Sequence, residues 1–353
     1  MIGNVINNYL ILTKLGEGSY GKIYMVYHLI KKEYYAFKNI NYKYKDDAKE
    51  EIELWKKISS YNNIYLNKLI ECFYYKNDKK QLNTALIMNL YASDLYQYIK
   101  INQFNKIEII EIGKQILNGL EIIHHKLKAI HGDLKTDNIL IEGTNNKIEY
   151  YKKKNEELMT EDKKEYQRRI REIGDFEDKL EITINVPIKI VISDFGIVCL
   201  DKDKYQNSFG TKYYRPLELY LGLGYNKTID IWAFGCILLE LIKNKIYFHP
   251  NQYFEYDEDD DLYENALFLI LFERKLKRIP NSLLDYGKLK KSKLIKLYQK
   301  LKKENDNINI STLDEDIEDE NLKLIIKNCL DYSKSDRINL EKLINNFNQI
   351  NQI

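Results

Sequence analysis

The hydrophobic period of this chain changes near residue 46, and that change limits the architectures open to it. Over the first 75 residues, apolar and aromatic side chains cluster in short runs, Tyr9–Leu15, Lys22–His28 and Glu33–Ile40. Gly16, Gly18, Gly21 and the charged pair Lys31-Lys32 punctuate them, as expected of strands joined by tight turns. From Asp46, Ala48, Glu51, Ile52, Trp55 and Ile58 recur at helical spacing, with Asp46 or Asp47 placed to cap the helix. After a strand-like Ala85–Leu90 the pattern is mainly helical, and Ile107–His125 offers Ile110, Ile112, Ile116, Leu117, Leu120 and Ile123 for one face. The chain reads as a small β-rich unit followed by a larger helical one.

With 353 residues, 44% of them hydrophobic, the chain can bury a sizeable core and is too apolar to be disordered throughout. Its 55 Lys and Arg against 53 Asp and Glu leave a net charge of +2, no excess for direct nucleic-acid binding. No apolar run is long enough to cross a membrane, and Met1 to Leu10 lacks the features of a signal peptide, so an intracellular protein, cytoplasmic or nuclear, is expected. Cys72, Cys199, Cys236 and Cys329 lie far apart without zinc-ligand spacing and are expected to be buried free thiols.

Two segments are strongly charged. Lys147–Leu180 carries ten basic and ten acidic residues with weak apolar periodicity, so it is expected to form little core of its own, as a charged helix or a loop. Removing it is expected to change activity by no more than about threefold, since an inserted loop is cheap. The second, residues 255–264, is acidic almost throughout.

Three motifs carry chemistry. In Leu15-Gly16-Glu17-Gly18-Ser19-Tyr20-Gly21-Lys22-Ile23, the glycines let backbone N–H groups approach phosphate oxygens. This segment leads into the strand-like run Lys22–His28 and not into the helix of a dinucleotide fold. His131-Gly132-Asp133-Leu134-Lys135-Thr136-Asp137-Asn138 comes after a helix and leads into a strand, and Ser193-Asp194-Phe195-Gly196 ends a strand. Together with Ala36-Phe37-Lys38, Pro216-Leu217-Glu218 and Asp230-Ile231-Trp232, in chain order, these motifs resemble the protein-kinase family over residues 9–347.

The resemblance implies the α+β bilobal kinase fold. It would have an antiparallel β-sheet N-lobe with one main helix (9–88), a hinge (89–91) and a mainly helical C-lobe (92–347), with a charged insertion at 143–186. It implies ATP and Mg²⁺, with Lys38 on the α- and β-phosphates and Glu51 paired to it. Asp133 would orient the substrate hydroxyl, Lys135 would neutralise the transferring phosphate, and Asn138 and Asp194 would ligate metal. Ala36 and the Leu15–Ile23 segment would flank the nucleotide; Met88 would be the gatekeeper, and the backbone of Asn89, Leu90 and Tyr91 would face adenine. Arg337 looks like the family's buried partner of Glu218.

Departures from the common pattern narrow the branch. Gly132 stands where many kinases have an Arg that binds an activation-loop phosphate, and only 24 residues separate Asp194 from Glu218, so activation by that phosphate is not expected. Ser208, Thr211 and Tyr213 remain candidate phosphosites, with a solvated or packing role at least as open to each. Tyr214-Arg215-Pro216-Leu217-Glu218, the 61-residue gap from Asp133 to Asp194, and Leu271-Phe272-Glu273-Arg274 with Ile279-Pro280 resemble the CMGC group, nearest to SR-protein and Clk-like (LAMMER) kinases. That implies Ser/Thr phosphorylation of Arg/Ser-rich or basic proteins, with Asp257, Glu258, Asp259, Asp260 and Asp261 as a docking patch. The same patch reads equally well as a solvated loop. A Pro-directed kinase of the DYRK or cyclin-dependent type, and a pseudokinase scaffold, are the alternatives; oligomeric state is not legible.

Overall fold

The computed structural model describes residues 1–18, 21–61, 63–195, 199–200, 210–257 and 259–350, without the side chains at 18, 45–48, 50, 199–200, 288 and 290. Its longer helices are α1 (Lys45–Ser60), α2 (Lys106–Glu121), α3 (Asn146–Leu158), α4 (Lys163–Arg171), α5 (Thr228–Lys243), α6 (Asp261–Lys275), α7 (Asn281–Glu304), α8 (Glu320–Cys329) and α9 (Leu340–Ile350). The chain divides into two compact units, one of residues 1–98 and 139–196, the other of residues 99–138 and 197–353.

The first unit is built on a six-stranded antiparallel sheet: β1 (Val5–Ile6), β2 (Tyr9–Gly18), β3 (Gly21–His28), β4 (Glu33–Ile40), β5 (Leu69–Lys76) and β6 (Leu82–Met88), in the order β1-β2-β3-β4-β6-β5. Alternation divides its side chains between two faces. Tyr9, Ile11, Tyr24, Val26, Tyr35, Phe37, Ala85 and Ile87 form one core. Helix α1 buries Ile52, Trp55 and Ile58 as its periodicity requires. It begins one residue before Asp46, with Tyr44 at the cap position and no capping side chain, so Asp46 and Asp47 lie inside the first turn and not at the cap.

The other face differs from the sequence expectation. Leu10, Leu12, Met25 and Tyr27 share a core with Ile148, Tyr151, Tyr166 and Ile170, all from the charged segment. That segment takes the charged-helix alternative and not the loop, but with one side buried in a shared core. It is the two helices α3 and α4, and its buried apolar residues come in one pair per helix at i, i+3 and i, i+4, which is enough to bury a side against the sheet. The hairpin leaves and rejoins the unit through paired strands β9 (Gly143–Asn145) and β10 (Ile182–Ile184). Just outside them, β8 (Ile139–Ile141) pairs with β11 (Ile190–Ile192) and with β7 (Ser93–Asp94).

The second unit is helical around α5, which is buried along nearly its whole length. Helix α2 buries Ile110, Ile112, Ile116, Leu117 and Leu120 as expected; Ile123 is buried just beyond, in a π-helical turn over Ile122–Lys126 that ends the helix. Cys236 and Cys329 are buried free thiols, and Cys72, in the first unit, is a half-buried one. Among the described residues no helix is long and apolar enough to cross a membrane.

Candidate active site

The candidate residues fall into two groups, one in each unit. In the first unit, strand register sets Lys38 opposite Ile23 and Leu86, and Ala36 opposite Met25 and Met88. Lys38 Nζ lies 2.7 Å from Glu51 Oε1 on α1 and 3.2 Å from Asp194 Oδ1. Burial pulls the ammonium pKa down, but the Asp194 and Glu51 carboxylates outweigh it and hold it above the ordinary lysine value. Neighbouring Phe195 is buried, its ring edge-on to Trp55 at 5.6 Å, so the strand end and α1 are locked together. Asp194 itself has φ 61°, a left-handed backbone that costs a non-glycine residue and is held here by its surroundings.

The glycine-rich segment is a β2–β3 hairpin with Gly16 opposite Ile23, Glu17 opposite Lys22 and Gly18 opposite Gly21. A Cβ on Gly21 would sit 1.9 Å from the Asn39 carbonyl oxygen, so glycine is required there by the strand packing. Glu17 pairs with Lys14 and lies 3.9 Å from Lys22. Ser19 and Tyr20 lie outside the described residues, as do Gly196 and Ser208. Leu15 and Leu90 pack, partly buried, against the core that the sheet shares with α3 and α4. Met88 is buried at the end of β6 with Asn67 Nδ2 on its sulfur; the Tyr91 hydroxyl donates to Asn67 Oδ1 at 3.4 Å, and burial pushes its pKa up to about 12.

In the second unit the catalytic-loop motif forms a tight polar cluster. Thr211 donates to Asp133 Oδ1 from both its backbone N–H (2.8 Å) and its hydroxyl (2.7 Å). Lys135 Nζ donates to the same hydroxyl at 2.9 Å and lies 3.3 Å from Asp133 Oδ2. Asn138 donates through Nδ2 to the Asp133 carbonyl (2.8 Å) and carboxylate (3.3 Å), which turns its carboxamide oxygen outward from that contact. The loop is anchored from below: buried Asp230 accepts from the backbone N–H groups of His131 (2.8 Å) and Gly132 (2.9 Å) and bonds His124 at 2.7 Å. Gly132 has φ 79°, so the residue that departs from the common pattern occupies a backbone position glycine suits.

Sequence reasoning offered Thr211 as a phosphosite or as a solvated or packing residue; its hydroxyl bridges Asp133 and Lys135. It also missed Glu240, which accepts from the Thr136 hydroxyl (3.0 Å) and the Tyr214 hydroxyl (2.5 Å), with burial raising its carboxyl to about 7. A hydroxyl residue placed five before Pro216, and an acid ten after Asp230, were the available signals. Tyr213, another candidate phosphosite, stacks on His249 at 4.6 Å.

The acidic run has structural duties. Asp260 caps α6 by accepting from Leu262 and Tyr263 N–H, and Asp261 pairs with Lys212 at 2.7 Å. Buried Glu264 also bonds Lys212. Asp257 accepts from the Asp259 N–H at 3.0 Å; both are exposed, and Glu258 lies outside the described residues.

A buried lysine–glutamate pair on an antiparallel sheet, with an Asp–Lys–Asn loop held by a buried Asp in a helical unit, defines a class. The chain belongs to the protein kinase domain family, which matches residues 9–159 and 179–347. The unmatched stretch between them lies within the inserted hairpin. A solved kinase-domain crystal structure superposes with TM-score 0.71 at 23% identity, covering 98% of this chain and 96% of that one, which establishes the kinase fold.

Among curated proteins the chain is 26% identical to the probable serine/threonine-protein kinase clkA of Dictyostelium discoideum over 81% of its length and 29% of the relative's. It is 26% identical to serine/threonine-protein kinase AFC1 of Arabidopsis thaliana, over 79% of this chain and 54% of that one. With the dual specificity tyrosine-phosphorylation-regulated kinase 3 of Homo sapiens it shares 28% identity over 72% of this chain and 36% of that one. The chain thus spans about a third to a half of the length of these relatives.

Proposed function

We propose that this chain is an ATP-dependent serine/threonine protein kinase of the CMGC group, acting on basic or Arg/Ser-rich proteins. The observation that carries the reading is the Lys38 contact with both Glu51 and Asp194, which supports a nucleotide site assembled in an active arrangement. A pseudokinase would be expected to lack one of Lys38, Asp133, Asn138 and Asp194, and all four are present.

In this reading Lys38 holds the α- and β-phosphates, and the substrate hydroxyl gives its proton to Asp133 while Lys135 neutralises charge on the transferring phosphoryl group. Thr211 fixes both side chains, so that neither must reorganise during transfer. Asp194 and Asn138 offer a carboxylate and a carboxamide oxygen, the hard donors that Mg²⁺ prefers, so the donor chemistry fits the metal. When bound, Mg²⁺ supplies positive charge against the phosphates.

The test is transfer of ³²P from γ-labelled ATP with Mg²⁺ to an Arg-Ser-repeat peptide and to a Ser-Pro peptide. Preference for the first is expected. Preference for Ser-Pro would keep the kinase and replace the substrate class, and no transfer to either peptide or to a panel of basic proteins would favour a scaffold.

The acidic run supplies a separate prediction. Because Asp260 and Asp261 are engaged within the chain, Asp257→Asn with Asp259→Asn removes exposed charge without removing a cap or an ion pair. We expect KM for the Arg-Ser peptide to rise about three- to tenfold at low salt with kcat unchanged, the mark of lost uniform binding. An unchanged KM would remove the docking patch from the reading.

A further inference from the structure

We propose that the inserted helical hairpin positions the nucleotide-binding strand and the hinge of its own unit, with Lys147 and Asn155 as positioning residues for ATP. The inference rests on the assignment of that strand and hinge to ATP. Three polar contacts argue it. Lys147 Nζ, at the start of α3, donates to the carbonyl of Lys14 at 2.9 Å, one residue before Leu15. Asn145, which caps α3 by accepting from Ile148 N–H at 2.8 Å, donates through Nδ2 to the carbonyl of Ala92, the residue next after the hinge.

Asn155, fully buried, donates to the Tyr34 hydroxyl on β4 at 3.2 Å and accepts from the Tyr166 hydroxyl of α4, so one carboxamide joins both inserted helices to the strand that carries Ala36 and Lys38. The apolar contacts run the same way, since Leu15 and Leu90 pack in the core that contains Ile148 and Tyr151. Hinge residues Asn89 to Tyr91 and hairpin residues Gly143, Ile148 and Lys152 line one cleft of about 750 Å³.

A tether attached for some unrelated purpose needs none of this. A segment with a buried, doubly satisfied Asn is docked in one register, because leaving that group unpaired would be costly, and the more exposed Lys147 bond to a backbone carbonyl fits the same register. The docking surface is the strand before the glycine-rich turn, strand β4 on the far side of β3, and the hinge exit. The hairpin therefore fixes the frame that receives adenine and ribose. Loss of the docking should weaken ATP binding and leave the chemical step alone, in contrast to the small overall effect expected from the segment's composition.

The experiment compares wild type with Lys147→Met, Lys147→Arg and Asn155→Ala in the full chain, measuring KM for ATP, KM for peptide, kcat, and the thermal shift induced by ADP with Mg²⁺. We expect KM for ATP to rise about fivefold in Lys147→Met and about tenfold in Asn155→Ala, with kcat and peptide KM within about twofold of wild type and a reduced ADP shift. Lys147→Arg, which keeps a donor in reach, should return KM to within about twofold. An unchanged KM for ATP and ADP shift in the folded variants would overturn the proposal, as would an equal rise in peptide KM. Lys147→Met decides alone if Asn155→Ala fails to fold. A wild type that neither binds ADP nor transfers phosphate would instead defeat the nucleotide assignment, so the two failures are distinguishable.

Discussion

Asp133→Asn should lower kcat by about 10²–10⁴ while KM for ATP stays within about threefold. The substitution is close to isosteric. Asn retains an oxygen that can accept from the Thr211 N–H and hydroxyl, now 2.8 and 2.7 Å from Asp133 Oδ1, so the loop should hold its shape. The change removes the negative charge facing Lys135 at 3.3 Å and the capacity to take a proton from the attacking hydroxyl. Steady-state transfer to the preferred peptide, with circular dichroism and melting as controls for folding, measures the effect. Activity within tenfold of wild type would mean that Asp133 only orients the loop and that transfer proceeds without a base at this position.

Arg337→Met should destabilise the chain by about 3–5 kcal/mol, lowering the melting temperature by roughly 6–20 °C. Arg337 forms a two-pronged bond with Glu218, at 2.8 and 2.9 Å, with both side chains essentially out of solvent. It also donates to the carbonyls of Asp331 and Thr228 and lies over the Trp232 ring at 5.2 Å. Met replaces much of the volume and none of the charge, so the Glu218 carboxylate would be left buried without its counter-ion, and two carbonyls would lose a donor. Glu218→Gln combined with Arg337→Met should cost less than the sum of the single changes. A loss under about 1 kcal/mol in the single variant would show that water or rearrangement satisfies Glu218, and that the pair contributes little.

Much of this was legible in the residues themselves. The strands β2 to β4 and helix α2 could be read from period alone, because each has a face that must be buried and a turn or cap that ends it. The groups that carry chemistry sit in contiguous motifs, so Lys38, Asp133, Asn138 and Asp194 could be named from the sequence. Strand β5 was not singled out, since its half-buried residues on both faces leave no clean alternation. Thr211 was invisible in its role because its partner is 78 residues away, and a hydroxyl in a short loop reads as a phosphosite by default.

The hairpin was misread for a different reason. Equal numbers of opposite charges describe the solvated side of α3 and α4 and say nothing of Ile148, Tyr151, Tyr166 and Ile170, whose burial depends on a sheet more than a hundred residues earlier in the chain.

The β9–β10 pairing at the base of the hairpin also bears on the order of assembly. Strands β8 and β11 must find each other across nearly fifty residues, a search whose entropic cost grows as the logarithm of the intervening length. If α3 and α4 form early and Gly143 meets Ile184 first, the remaining gap is only a few residues on each side, and the pairing of Ile139–Ile141 with Ile190–Ile192 becomes a local zipping step. The length of the inserted segment then adds little delay to refolding, whereas Thr183→Pro, which would break the pairing at the base, should slow it.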